Sequence, residues 1–437
     1  MTYRIQKTES LKGCVVLPAS KSISNRALII DALSKAMATP ADAPTRPYGQ
    51  VETGLSNVSE CDDTFVMTRA LTDNPPTIDI MAAGTAMRFL TAYLSVTEGE
   101  HTITGTERMR HRPIKILVDA LRTLGASVEY VGEEGFPPLH VHGRQLEGGR
   151  LELPGNVSSQ YISALLMIGP TMAKGLELCL TGSIISRPYI DMTLSIMRQF
   201  GAEATWTSPT SIVVRPKPYA PIPYYIESDW SASSYWYEMV ALSEDEDARI
   251  LLPALFAESL QGDSQVRTIF EQLGVTTEFR HADDHTHTDG TPVESVVLTK
   301  SGHRVERLEW DMVNQPDLAQ TVVVTCAMLG IPFRLTGLQS LKIKETDRIV
   351  ALRTELSKLG YDIHEADDSI LYWDGERTTP DPQPAIDTYE DHRMAMAFAP
   401  CCMTRDHLLI NDPQVVSKSY PRFWDNLRQV GFTIEEV

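Results

Sequence analysis

Two helix patterns return along this chain at a spacing of roughly 70 to 85 residues in most intervals, far longer than a solenoid repeat. The first is amphipathic and closes on an apolar residue followed by glycine: Leu124-Gly125, Phe200-Gly201, Leu273-Gly274, Leu359-Gly360 and Val430-Gly431. From Arg112 onward, Ile114, Leu117, Val118, Leu121 and Leu124 keep the three-and-four spacing of one helical face, and Ile349, Leu352, Leu356 and Leu359 repeat it. Each glycine reads as a helix stop, and strand-like segments such as SVEYV, EATWT, TTEFR and YDIHE follow.

The second pattern is apolar nearly all round and starts in a polar or glycine-containing turn: SKSISNRALIIDAL, AAGTAMRFLTAYL, PGNVSSQYISALLMIG, SDWSASSYWYEMVAL, NQPDLAQTVVVTCAML and EDHRMAMAFAPCCM. Helices without a polar face belong in a core. Their alternation with amphipathic helices and strands predicts an α/β chain in which one unit is used six times. The first copy is irregular, because ECDDTFVMTRAL lacks the closing leucine and glycine.

Two segments break the rhythm. Residues 37–53, rich in Pro, Ala and Thr, read as an exposed insertion, and HADDHTHTDG at 281–290 reads as a hairpin tip closed by Asp289-Gly290. His281, His285 and His287 are of metal-ligand type, but their strand-like flanks favour a solvated turn. HExxH, P-loop and GxGxxG patterns are absent.

A chain of 437 residues has room for two or three domains, and its net charge of -19 argues against a nucleic-acid or anionic-membrane surface, both bound through clustered positive charge. No segment is apolar over the length that spans a bilayer, and MTYRIQKTESLKG lacks the apolar core of a secretory signal. The six cysteines form no CxxC pair and read as reduced packing residues, in keeping with a cytoplasmic protein.

Residues of chemical potential collect at the first turns of the buried helices. In LPASKSISNRAL a serine at 20 or 22 is placed to cap a helix while Lys21 and Arg26 add charge beside its free N–H groups, which suits a phosphate or carboxylate; a capped helix in water explains the same string. Gly84 and Thr85 open the second helix, and Ser158, Ser159 and Gln160 open the third with more donors than a cap requires. Arg112 before Pro113, and Ser186 to Tyr189 around Pro188, form matching turns that proline at a first helical position explains structurally. In KIKETDRI, Lys344, Glu345 and Arg348 are expected within one helical turn, where the two cations repel unless an anion lies between them. Asp317 opens the fifth buried helix and reads as a cap; the triplet at 391–393 opens the sixth, and Lys418 precedes the last helix.

At these residues the chain resembles the 5-enolpyruvylshikimate-3-phosphate synthase family over essentially its full length. LPASKSISNRA, AGTAMR, RPI followed by DALR, VSSQ, SRPYID, QPD, KETDR, DHRMAMAF and SKSYP stand in the family's order. The resemblance implies an inside-out α/β barrel of two domains, each of three βαβαββ units, with domain one at 21–228, domain two at 1–20 plus 229–437, and an interdomain site. It also implies transfer of the carboxyvinyl group of phosphoenolpyruvate to the 5-hydroxyl of shikimate 3-phosphate, in a monomer, with no cofactor and no catalytic metal.

Carried over by position, shikimate 3-phosphate contacts are expected at Lys21, Ser22, Arg26, Ser158, Ser159, Gln160, Ser186, Tyr189, Asp317, Ser340 and Lys344. Phosphoenolpyruvate contacts are expected at Lys21, Gly84, Arg112, Gln160, Arg348, Arg393 and Lys418. Glu345 resembles the acid, Asp317 the base, and Lys21 a stabiliser of shifting charge. Ala82, Phe89, Arg187 and Ser340 depart from the family's common residues. The alternatives are a sister transferase acting on UDP-N-acetylglucosamine, against which SKSISNR and KETDR weigh, and a silent anion-binding homologue, which would lack the acid and base.

Overall fold

The computed structural model describes residues 1–37, 54–286 and 292–437, so the proposed insertion and the Asp289-Gly290 tip lie outside the described residues. The chain is a mixed α/β protein of two compact units. One comprises Met1–Pro18, Glu227–Thr286 and Pro292–Val437; the other is built on Ala19–Ile226.

In the Ala19–Ile226 unit, Thr77–Asp79 runs parallel to Gly99–Thr104, which pairs antiparallel with Leu139–Gly143, and this strand pairs antiparallel with Ser127–Tyr130. A second sheet repeats the order with Gly149–Pro154, Leu176–Thr181, Ser211–Val214 and Ala204–Ser208. Leu55–Ser56 and Tyr224–Tyr225 form a short parallel pair.

Three sheets of the other unit have the same order. Lys12–Cys14 pairs parallel with Arg249–Pro253, followed by Pro292–Lys300 and Val275–Thr286. Leu308–Asp311, Phe333–Thr336, Ile370–Trp373 and His364–Ala366 make the next. In the last, Ala385–Ile386 and Leu408–Asn411 are parallel, and Thr2–Gln6 lies between Leu408–Asn411 and Thr433–Glu436.

The order follows from the sequence patterns. Each parallel pair needs a crossover, and an all-apolar helix supplies it: Gly84–Val96, Ser159–Ile168, Ala319–Leu329 and His392–Phe398 each lie between two parallel partners. Trp230–Leu242, buried at every residue except Ser231, precedes Arg249–Pro253. The amphipathic helices then lead into the antiparallel strands, and all five closing glycines adopt positive φ, between +88° and +100°. At four of them the N–H one residue on reaches back to a carbonyl five positions earlier, as in Ala126 to Leu121 and Phe432 to Leu427, a geometry that a Cβ at the glycine position would strain. The irregular helix Asp62–Asp73 ends instead on Asn74 at φ +44°.

Cys61, Cys326, Cys401 and Cys402 are buried and free, as expected of packing residues, whereas Cys14 is exposed because its strand Lys12–Cys14 carries no inward-facing side chain. His281 sits in the ladder Val275–Thr286 opposite Glu294, its Nδ1 3.6 Å from that carboxylate.

Candidate active site

In the Ala19–Ile226 unit, Ser20 caps the helix Lys21–Met37 by accepting from the Ile23 N–H at 3.4 Å. Lys21 pairs with Asp63 at 3.2 Å. Arg26 is 2% exposed, and its guanidinium donates to Thr193 Oγ1 at 2.7 Å, the Ser22 carbonyl at 2.8 Å, Ser163 Oγ at 3.1 Å and the Tyr189 carbonyl at 3.4 Å. Among the described residues no carboxylate pairs with Arg26. Burial lowers its basicity to about 10, so it remains a cation at neutral pH, flanked by the rings of Phe89 and Tyr189. Phe89 is fully buried within the continuous helix Gly84–Val96.

That helix starts without a side-chain cap from Ala83, leaving its first N–H groups open at Gly84. A Cβ added to Gly84 would come within 2.7 Å of guanidinium nitrogens of both Arg112 and Arg88, so the glycine lets two cations lie against the helix start. Arg88 donates to the Gly84 carbonyl at 2.7 Å and stacks over Tyr161. Gln160 Nε2 donates to Thr85 Oγ1 at 3.0 Å, which brings the second and third helix starts together. Ser158 caps the third by accepting from the Gln160 N–H, Ser159 is buried beside it, and Ser186 sits at φ +54° before the helix Arg187–Gln199. Arg187 is engaged elsewhere, stacked on Trp206 and 3.7 Å from Asp191. Pro113 lies outside the helix Lys115–Thr123, so it does not fill the expected first helical position.

The other unit holds the acid and base candidates in one ionic cluster. Asp317 stands 3.1 Å from Arg348, 3.0 Å from Arg393 and 3.5 Å from Lys344. Glu345 stands 3.0 Å from Arg348 and 2.9 Å from Lys418. Burial opposes ionisation of Asp317, but Arg393, Lys344 and Arg348 outweigh it and hold the carboxyl well below the usual range. Arg348, itself buried, is held above its ordinary value by Asp391, Glu345 and Asp317 despite desolvation.

Two local expectations change here. Asp317 lies in a 3-10 turn, Pro316–Leu318, and its side chain answers three cations rather than capping the helix Ala319–Leu329. The helix after KETD starts only at Arg348, with Asp347 as cap, so Lys344 and Glu345 lie in the preceding irregular turn. Asp317 is the anion between Lys344 and Arg348. Ser340 lies half-buried in the 3-10 helix Gln339–Ile343.

Three residues beyond the expected set support these groups. Asp391 binds Arg348 through both carboxylate oxygens and also caps the helix His392–Phe398. Asp263, bonded to Ser231, is pushed up to about 7 by burial and by Asp317. Arg88 backs Gly84. Asp391 and Arg88 lie inside the DHRMAMAF and AGTAMR motifs, so the signal for them was present; Asp263 stands in an undistinguished QGDS string.

Comparison with known proteins identifies the family. A family model described as EPSP synthase (3-phosphoshikimate 1-carboxyvinyltransferase) matches residues 5–427. A relative from Bacteroides fragilis (strain YCH46), named 3-phosphoshikimate 1-carboxyvinyltransferase, is 58% identical over 435 residues, covering 100% of this chain and 99% of its own. Another of that name from Shewanella halifaxensis is 33% identical, covering 98% and 99%. The solved EPSP synthase of Acinetobacter baumannii shares the fold over the whole of both chains, with a TM-score of 0.75 at 21% identity. With its match running nearly end to end, the chain belongs to the EPSP synthase (3-phosphoshikimate 1-carboxyvinyltransferase) family.

Proposed function

We propose that the chain transfers the carboxyvinyl group of phosphoenolpyruvate to the 5-hydroxyl of shikimate 3-phosphate, releasing phosphate and giving 5-enolpyruvylshikimate 3-phosphate for chorismate and aromatic amino acid synthesis. The observation that carries this reading is the mutual ion pairing of Asp317 and Glu345 with Lys344, Arg348, Arg393 and Lys418, in a chain 58% identical to a protein named for the reaction.

Glu345 protonates the methylene carbon of phosphoenolpyruvate, and the 5-oxygen attacks the adjacent carbon as its proton passes to Asp317. The new methyl group then returns a proton to the Glu345 carboxylate as phosphate departs, which restores the vinyl ether. Phosphate and carboxylate groups of the substrates compete with Asp317 and Glu345 for the same cations. As Arg393, Lys344 and Arg348 turn toward substrate, Asp317 regains the basicity that they suppress. Substrate binding thereby frees the base for its task.

Shikimate 3-phosphate is read as held by Lys21, Ser22, Arg26, the Ser158 to Gln160 turn, Ser186, Tyr189, Ser340 and Lys344. Phosphoenolpyruvate is read as held by Lys21, Gly84, Arg112, Gln160, Arg348, Arg393 and Lys418. Support comes from the uncapped helix start at Gly84 beside two guanidiniums and from the buried cation of Arg26. The shared strand order of five sheets supports an inside-out barrel of six βαβαββ units, divided at 21–228 and 1–20 with 229–437. The enzyme acts as a cytoplasmic monomer without a cofactor. The test is phosphate release from phosphoenolpyruvate with shikimate 3-phosphate and, separately, with UDP-N-acetylglucosamine. Release with the shikimate ester alone is expected; release only with the sugar nucleotide would overturn the reading.

A further inference from the structure

We propose that the solvent face of the sheet containing Leu139–Gly143 binds a zinc-class divalent ion through His140, His142 and Glu100. The two histidines are two residues apart on one strand, so their side chains share a face. Their neighbours Leu139 and Val141 are buried on the other face, together with Ile103 and Val128 of the adjoining strands, which fixes the histidines outward. Glu100 stands directly opposite His142 in the ladder, and its Oε1 is 3.0 Å from His142 Nδ1. One donor atom from each of the three side chains lies within 4.8 Å of the others.

The chemistry favours one ion class. Two imidazoles and a carboxylate suit zinc, at about 2.0–2.1 Å to nitrogen and about 2.0–2.2 Å to oxygen, with water completing a tetrahedron. Ligand atoms around such an ion stand roughly 3.4 Å apart. The Glu100–His142 pair is already near that spacing, and the third donor atom, from the half-exposed His140, lies within 4.8 Å of both. His140 Nδ1 lies 3.2 Å from Thr102 Oγ1, a contact that leaves Nε2 to face an ion and fixes the ring as outer-sphere partners do for ligating histidines. Glu129 stands opposite His140 on the third strand, so a second carboxylate borders the site and balances a doubly charged ion. The rings of His140 and His142 meet edge to face, with centroids 4.5 Å apart. None of these residues is assigned to a substrate, and the ion would clip two strands of a rigid sheet rather than take part in the transfer.

The test uses the full-length enzyme freed of metal with a chelator and then titrated with zinc chloride, with cobalt(II) as a spectroscopic probe. One zinc per chain is expected, with a tetrahedral cobalt spectrum and a melting temperature that rises with zinc. His140→Ala and His142→Ala are each expected to weaken binding by about tenfold or more and to abolish the thermal shift, with phosphate-release kinetics unchanged. Circular dichroism of both variants checks their folding, and Glu100→Gln, which keeps size and polarity, gives an independent weakening. Absence of stoichiometric zinc binding by the native enzyme, or undiminished affinity in both histidine variants, overturns the proposal.

Discussion

Arg348 holds Asp391 by two hydrogen bonds, Nε to Oδ2 at 2.7 Å and Nη2 to Oδ1 at 3.2 Å, where both side chains are out of contact with water. The same guanidinium reaches Asp317 and Glu345, so one buried pair positions the donor that both carboxylates share.

Removing Asp391 leaves that guanidinium short of its closest partner in a buried setting. Asp391→Ala is therefore expected to destabilise the protein by about 3–5 kcal/mol, measured by urea denaturation. Asp391→Asn, which retains an acceptor for the helix cap, should recover part of the stability. A loss under about 1 kcal/mol for the alanine variant would show that Arg348 is held by its other contacts.

Asp317→Asn and Glu345→Gln are expected to lower turnover by about two orders of magnitude or more, because each removes a proton-transfer group while keeping its shape. Circular dichroism should show folded variants. Near-normal kcat in either removes that residue from its role.

Gly84→Ala places a methyl group against the Arg112 and Arg88 guanidiniums, both the mobile ends of long side chains. Folding should tolerate the change while anion binding does not. A rise in KM for phosphoenolpyruvate of roughly 10–100-fold is expected, in proportion to the displacement of the clamp, with melting temperature nearly unchanged.

Buried carboxyls set a pH trend of opposite sign to that of Asp317. Desolvation pushes Glu227 up to about 7 and Glu238 well above its ordinary value, so the folded state keeps protons that the unfolded chain releases. Stability is fullest below the unfolded value near 4.5 and falls as pH rises toward the folded values, by about 3 kcal/mol for Glu227 alone. Glu238→Gln should flatten the decline and be more stable than the native protein at pH 8, as read by thermal melts at pH 5 and 8. Equal pH slopes for the two proteins would contradict a protonated Glu238.

The five apolar-glycine endings were legible because a left-handed helix stop demands glycine almost regardless of surroundings, and the all-apolar helices because only a core accepts them. The motif strings likewise carried the functional groups to their helix starts. Pairings between distant segments were not legible: nothing local ties Asp63 to Lys21 or Asp391 to Arg348. The KETD turn was misjudged because Asp347, two residues after Glu345, takes the capping role and delays the helix. No sequence motif singles out His140 and His142, since what brings a carboxylate beside them is Glu100 on the neighbouring strand.

The seat of Thr2–Gln6 between Leu408–Asn411 and Thr433–Glu436 sets a timetable for assembly. Residue 5 cannot find its partners at 408 and 434 until some four hundred further residues have been translated, roughly 20–80 s at about 5–20 residues per second. The sheets of Ala19–Ile226 draw every strand from within that stretch and can form meanwhile. Thr2–Gln6 thus emerges ahead of the other described strands and is among the last of them to be paired, because its neighbours on both sides follow some four hundred residues later.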